Sequence, residues 1–199
     1  MSEAMSNTAA TRVLEELAEF GRQNDERYTQ RGQRMLNITP ETGQFLSILI
    51  RAAQARRVLE IGTSNGYSTI WLACAVAETG GHVETIEADA AKVALATANF
   101  DWAGVADCIT LHHGVAIDVL GGLSGTYDLI FLDADRPSYV RYLEHLVRLL
   151  AAGGLLVTDN VVSHAQEVSE FLAALRADVL LDTVTVPLGN GEELTYRRG

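Results

Sequence analysis

A chain of 199 residues with 48% hydrophobic and 21% charged residues has the size and composition of a globular domain that buries its own core. Its formal net charge of −11 argues against a nucleic-acid backbone or an anionic membrane as partner, since both reward clustered Lys and Arg, and leaves a small molecule as the expected partner. No apolar run approaches the roughly 20 residues a membrane-spanning helix needs.

In chain order, residues 8–24 set Val13, Leu14, Leu17 and Phe20 on one helical stripe. That stripe is expected to pack on the protein's own sheet or on a second copy in a homodimer. The next helix opens at TPETGQFLSILIRAA, with Thr39 as N-cap and Pro40 at the first helical position. From residue 57, short β-branched or Leu-rich runs alternate with Ala-rich segments of helical period. Strands are expected at Arg57–Ile61, His82–Glu87, Cys108–His112, Tyr127–Asp133 and Leu155–Thr158, with two more near Leu180–Pro187 and Leu194–Tyr196. Helices are expected over 67–78, 89–103, 116–122, 137–151 and 165–176. This alternation implies right-handed crossovers and a mostly parallel α/β sheet covered on both faces. Asn190 and Gly191 read as the turn of a closing hairpin. No repeat or linker divides the chain, so residues 1–199 are expected as one domain, with helices in 1–56 covering the site and an α/β core in 57–199. The opening MSEAMSNTAA lacks a basic region followed by an apolar stretch, and Cys74 and Cys108 lie in apolar contexts without ligand-like spacing. Both features lead to the expectation of a reduced, cytoplasmic protein.

The stretch VLEIGTSNGYSTIWLA is a strand, a glycine turn and a helix start. In such folds the ligand sits at the carboxyl ends of the strands. Gly62 and Gly66 give a G-x-x-x-G spacing rather than the G-x-G-x-x-G of dinucleotide binders, and Tyr67 stands where a P-loop needs lysine. Glu60 lies in the strand before the turn and Glu87 ends the next strand, where an acid suits a ribose diol. With Asp133, these carboxylates would repel a pyrophosphate and welcome a cation. S-adenosylmethionine, with a ribose, an adenine and a sulfonium but no phosphate, therefore fits better than a nicotinamide dinucleotide.

Asp133 ends one apolar strand, and Asp159 with Asn160 end the next in sequence. Adjacent strands lie about 4.8 Å apart, so the three side chains can converge on one hard, oxygen-seeking ion such as Mg²⁺. The alternative is that both aspartates cap the helices that follow them. A bound metal of this kind would acidify a hydroxyl that it holds.

VLEIGTSNGYSTIWLA, VETIEAD, YDLIFLDADRPSY and LLVTDNV resemble, in order and spacing, the metal-dependent O-methyltransferases related to catechol and caffeoyl-CoA O-methyltransferases. The resemblance runs from about Asn37 to Asn160, with a looser echo in VPLGNGEELTYRR. It implies a class I, Rossmann-like methyltransferase fold with a seven-stranded sheet and an antiparallel last strand. It implies Asp133, Asp159 and Asn160 as metal ligands, with Asp133 also near the cofactor's reactive end. By the same resemblance Asn37, Ile38, Glu60, Gly62, Thr63, Ser64 and Ser68 would meet the methionine part of the cofactor. Glu87 would take the ribose, and Val115 with Ala116 the adenine.

Two departures bear on mechanism. The family's L-D-A-D-K becomes L-D-A-D-R, and Arg136 cannot serve as a base because it stays protonated. It can steady a phenolate, bind an acceptor carboxylate or pair with Asp135, or stand as a solvated residue before Pro137. His164 is then a candidate base, although Ser163 and Gln166 also read as a capping box that accounts for this stretch. Secondly, a helix follows Asn160 almost at once, so the acceptor pocket is either open or covered by the amino-terminal segment or a partner subunit. Competing with a catechol-directed enzyme are a non-catalytic S-adenosylmethionine-binding module and a methyltransferase with a different acceptor.

Overall fold

The computed structural model describes residues 2–199, with side chains from residue 9 onward. Its strands are β1 (Arg57–Ile61), β2 (His82–Glu87), β3 (Ile109–His113), β4 (Tyr127–Leu132), β5 (Leu150–Thr158), β6 (Leu181–Val186) and β7 (Glu192–Arg197). They form one sheet in the order β3-β2-β1-β4-β5-β7-β6. Strands β1 to β5 pair in parallel, and β7 runs antiparallel between β5 and β6. The central strands β1 and β4 are buried on both faces, which is why their sequences are near-continuous apolar runs rather than alternating ones.

Helices α1 (Ser2–Arg27), α2 (Pro40–Ala53), α3 (Tyr67–Glu78) and α4 (Ala90–Ala103) bury their apolar faces in one cluster with Val58, Leu129 and Val157 of the sheet. Helices α5 (Ala116–Gly122), α6 (Tyr139–Leu149) and α7 (Ala165–Ala177) pack on the opposite face against Leu59, Ile130 and Leu156. Thr39 caps α2 through the Thr42 amide at 3.2 Å, and Asp89 caps α4 through Ala91 at 2.8 Å. Among the described residues no helix is long and apolar enough to cross a membrane.

Several local expectations are corrected. In α1, Ala10, Val13, Leu14 and Leu17 are buried, but Phe20 is 44% exposed. Gly21 takes the inward place beside it, where a Cβ would lie 2.4 Å from Asn37 Nδ2, so the helix approaches that segment too closely for a large side chain. Strand β3 begins one residue late because Ala106–Cys108 form a 3₁₀ turn. Helix α6 begins at Tyr139 rather than 137, after a 3₁₀ turn over Arg136–Ser138, and β5 claims Leu150 onward through a shifted register against Tyr127. The hairpin expected at Asn190–Gly191 does form: residues 187–191 connect β6 and β7, and the Asn190 and Gly191 carbonyls accept the amides of Val161, Val162 and Ser163. The loop thus fastens to the segment after β5.

The register creates the site. Ile61 pairs with Leu132, and Leu132 with Thr158, so Gly62, Asp133 and Asp159 emerge side by side at one edge. The Asp133 amide donates to Ile61 O at 3.0 Å and the Asp159 amide to Leu132 O at 3.1 Å. Gly62 has φ +107°, and a Cβ there would stand 2.1 Å from the Asp133 carbonyl oxygen. Gly62→Ala is therefore expected to cost on the order of 3 kcal/mol, measured from the denaturant midpoint. An unchanged midpoint would show that the strand ends spread without penalty.

Candidate active site

At this edge opens a cavity of about 950 Å³. Asn37, Ile38, Gly62, Thr63, Ser64, Ser68, Glu87, Val115, Ala116, Asp133, Arg136, Asn160 and His164 line it, while Glu60 and Asp159 stand behind its wall. Residues far apart in the chain are thus gathered by the ends of β1, β2, β4 and β5.

On the β1–β2 side, the turn after β1 is built to present backbone. Ser64 adopts φ +50°, its amide donates to Glu87 Oε2 at 2.8 Å, and its hydroxyl donates to Met35 O at 2.8 Å. Glu87 Oε1 accepts the Ala88 and Asp89 amides, both at 2.9 Å, so Oε2 keeps the spare acceptor capacity on the cavity side. Glu60 does not reach the rim, contrary to the expected convergence of three carboxylates. Being an inward residue of a fully covered strand, it is sealed by the hydroxyls of Ser68, Thr69 and Thr85 at 2.5, 2.5 and 2.6 Å. Burial pushes its carboxyl up to about 7, against the three hydroxyl donors. Asn37 Nδ2 donates to Leu17 O at 2.9 Å, and its Oδ1 is buried without a hydrogen-bond partner. That orphaned acceptor, on a lining residue, is suited to an ammonium or amide of a ligand.

On the β4–β5 side, Asp133 and Asp159 flank Asn160, whose Nδ2 donates to Asp133 Oδ1 and to Asp159 Oδ2, each at 3.0 Å. Burial first, then each other's charge and that of Glu60, hold the Asp133 carboxyl well above the usual carboxylate range; burial raises Asp159 as well. Glu192 of β7 is fully buried beside them. Thr42 donates to its Oε1 at 3.1 Å, and Oε2 has no partner. Burial and the Asp159 charge push Glu192 up to about 10. Among the described residues, no group of three or more His, Cys, Asp and Glu is arranged as a metal site. The expected ligands number two carboxylates and an amide, and a cation still fits them on chemical grounds. The donors are all oxygen once the amide turns over, and the amide N–H already bridges the point between the two aspartates where positive charge is wanted. Neither aspartate caps a following helix through its side chain.

On the remaining wall, Arg136 is not a solvated residue: its side chain is 7% exposed and donates from Nε to Glu167 Oε2 at 2.9 Å. Asp135, its other expected partner, instead accepts the Ser138 hydroxyl at 3.0 Å. The Ser163–Gln166 capping box does not form; Ser163 Oγ pairs with His164 Nδ1 at 2.8 Å, and His164 itself occupies the position before α7. His164 lines the cavity, and its Nε2 makes no hydrogen bond among the described residues. Most of the remaining wall is residues that sequence reasoning passed over. The strap of residues 31–38, of which Asn37 and Ile38 were expected at the site and 31–36 were not, closes the cavity, tied down by Asp25 to the Met35 amide at 2.7 Å and by Lys92 Nζ to Arg34 O at 3.2 Å. No motif marks it; the clue available was a lone lysine placed after the Asp89 cap. Asn190 also lines the cavity, brought there by the β6–β7 loop.

The sequence matches a family model described as O-methyltransferase over residues 3–197. It is 38% identical over 143 residues to a catechol O-methyltransferase of Niastella koreensis, covering 70% of this chain and 64% of that protein. It is 44% identical over 126 residues to a catechol O-methyltransferase of Mycobacterium tuberculosis, covering 63% and 57%. The matches thus span less than two thirds of those two relatives. Among solved structures, an O-methyltransferase from Bacillus cereus in complex with S-adenosylhomocysteine superposes with a TM-score of 0.81 at 28% identity, covering 94% of this chain and 90% of that one. An O-methyltransferase from Streptomyces achromogenes involved in tomaymycin synthesis, in complex with S-adenosylmethionine, gives 0.77 at 31% identity and covers 82% of each.

The raised carboxyls make stability depend on pH. A carboxyl held protonated in the fold contributes stability that is whole below its unfolded pKa and is lost as pH rises through the folded value. For Glu192 that window runs from the ordinary 4.5 to about 10, and for Glu60 from 4.5 to about 7. The metal-free protein should therefore melt at falling temperature as pH rises across this range. Glu192→Gln should flatten the slope in its alkaline part; a variant as steep as wild type would contradict the assignment.

Proposed function

This chain belongs to the O-methyltransferase family, and from that premise we propose that it transfers the methyl group of S-adenosylmethionine to a hydroxyl of a catechol-like small molecule, assisted by a divalent metal, most simply Mg²⁺. The observation that carries the reading is the placement of Asp133, Asp159 and Asn160 in one buried group beside the glycine turn. Structural relatives that hold S-adenosylmethionine or its product support the choice of cofactor, and the names of the two curated relatives support a diphenol acceptor.

In this reading Glu87 takes the ribose hydroxyls through Oε2, and Asn37 Oδ1 with the turn at Gly62–Ser64 receives the methionine end. Val115 and Ala116 flank the adenine. Asp133, Asp159 and Asn160 would hold the metal, and the chemistry it would supply there is Lewis-acid acidification of the hydroxyl to be methylated. The acceptor oxygen then bonds the methyl carbon, the C–S electron pair stays on sulfur to give S-adenosylhomocysteine, and the hydroxyl proton passes to a base. We assign that last task to His164, whose Nδ1 pairs with Ser163 Oγ. Arg136 cannot perform it, being a permanent cation. Walls that hold both reactants in attack geometry supply much of the acceleration.

Methyl transfer to catechol should stop in excess chelator and return with Mg²⁺, and Asp133→Ala or Asp159→Ala should lower kcat/KM by at least about a hundredfold. Full activity in chelator would remove the metal, and no transfer to any vicinal diphenol would remove the acceptor class. His164→Gln should lower kcat by about a hundredfold. A variant with wild-type kcat would clear His164 of the role.

A further inference from the structure

Arg136 is a cation more than nine-tenths buried with most of its hydrogen-bonding capacity unused. A guanidinium carries five N–H donors in a planar fork. Here the Nε donor goes to Glu167, while Nη1 and Nη2 have no hydrogen-bond partner among the described residues. Their four N–H groups belong to a side chain that lines the cavity, three residues beyond Asp133 and on the same wall as His164. Neither terminal nitrogen is sealed from solvent, so both are available to an acceptor that enters the cavity. Arg31, in the strap across the cavity, makes no ion pair among the described residues, and its charge is felt by both Asp133 and Glu167. The side of the cavity away from the glycine turn is therefore furnished for an anion, whereas the turn side, with Glu87 and the nearby Glu60, is furnished for a cation.

We propose that Arg136 is a specificity-determining residue that receives a carboxylate carried on the ring or short side arm of the diphenol acceptor, so that the preferred substrates are aromatic acids with vicinal hydroxyls. This rests on the reading of the site as a diphenol O-methyltransferase. A carboxylate matches the fork because its two oxygens accept from both Nη atoms in parallel, which a neutral ring substituent cannot do. Glu167 is the internal competitor: it holds one face of the guanidinium and offsets its charge. The alternative role for Arg136, a counter-charge for Asp133 and Asp159, would affect all acceptors alike.

The test compares kcat/KM for catechol, for protocatechuate, which adds a ring carboxylate, and for the primary amide of protocatechuate, in the Mg²⁺-loaded wild type, Arg136→Gln and Glu167→Gln. In wild type the carboxylate should be preferred to the amide by about tenfold or more, and calorimetric Kd values in the presence of S-adenosylhomocysteine should follow the same order. Arg136→Gln should bring the ratio near one, and Glu167→Gln, a change at a half-exposed position, should raise it above wild type. A wild-type ratio near one, or a ratio that neither variant moves, would overturn the proposal while leaving the diphenol reading intact. Absence of methyl transfer to all three compounds would overturn both.

Discussion

Four carboxyl groups, Glu60, Asp133, Asp159 and Glu192, are crowded at the carboxyl edge of the sheet, and the fold gives them one buried arginine that is already paired. Like charges in a desolvated place are tolerated only by staying protonated, by hydrogen bonding or by gaining a cation. Each group shows one of these solutions. Glu60 is saturated by three hydroxyls, Glu192 keeps its proton, and Asp133 with Asp159 share the amide of Asn160. The arrangement is hard to explain as packing, since apolar residues of similar size would be cheaper at every position. It is what an edge must look like if it exchanges protons for a metal and sits beside a sulfonium.

The rest of the molecule serves to keep that edge narrow. Gly62 lets β1 and β4 end in contact, and the β6–β7 loop is pinned by three amides to the segment that follows Asp159. Thr42 of α2 reaches across 150 residues to Glu192, so the second helix is a direct support of the acid cluster. Opposite, the strap of residues 31–38 has one 3₁₀ turn, Arg31–Gln33, and is tied down by side chains of α1 and α4. Anchors of that kind allow local opening at small cost compared with the core, which suits a wall past which two ligands must enter.

The sheet was legible because β-branched and leucine runs bounded by glycine and charge can only be buried strands, and because alternation with helices leaves little freedom of topology. Strand ends that carry chemistry, at Asp133, Asp159 and Glu87, stood out for the same reason: polar residues closing an apolar run need an explanation. What the sequence concealed depends on tertiary register. That Glu60 points into the sheet's covered face, that Glu192 of the last strand joins Asp159, and that Arg136 turns inward to Glu167 follow from pairings across many residues. The hairpin at Asn190–Gly191 was legible, since residues 187–191 join the antiparallel β6 and β7, whereas the capping box was not, because Ser163 Oγ pairs with His164 Nδ1 instead.

The central claim is that the acid cluster is a proton store that a divalent cation empties. Calorimetric titration of the metal-free protein with Mg²⁺, in two buffers of different ionisation enthalpy at one pH, measures it directly. Saturable binding with a net release of protons, reduced in Glu192→Gln and absent in Asp159→Ala, is the predicted result. No binding, or binding whose heat is the same in both buffers, would contradict it.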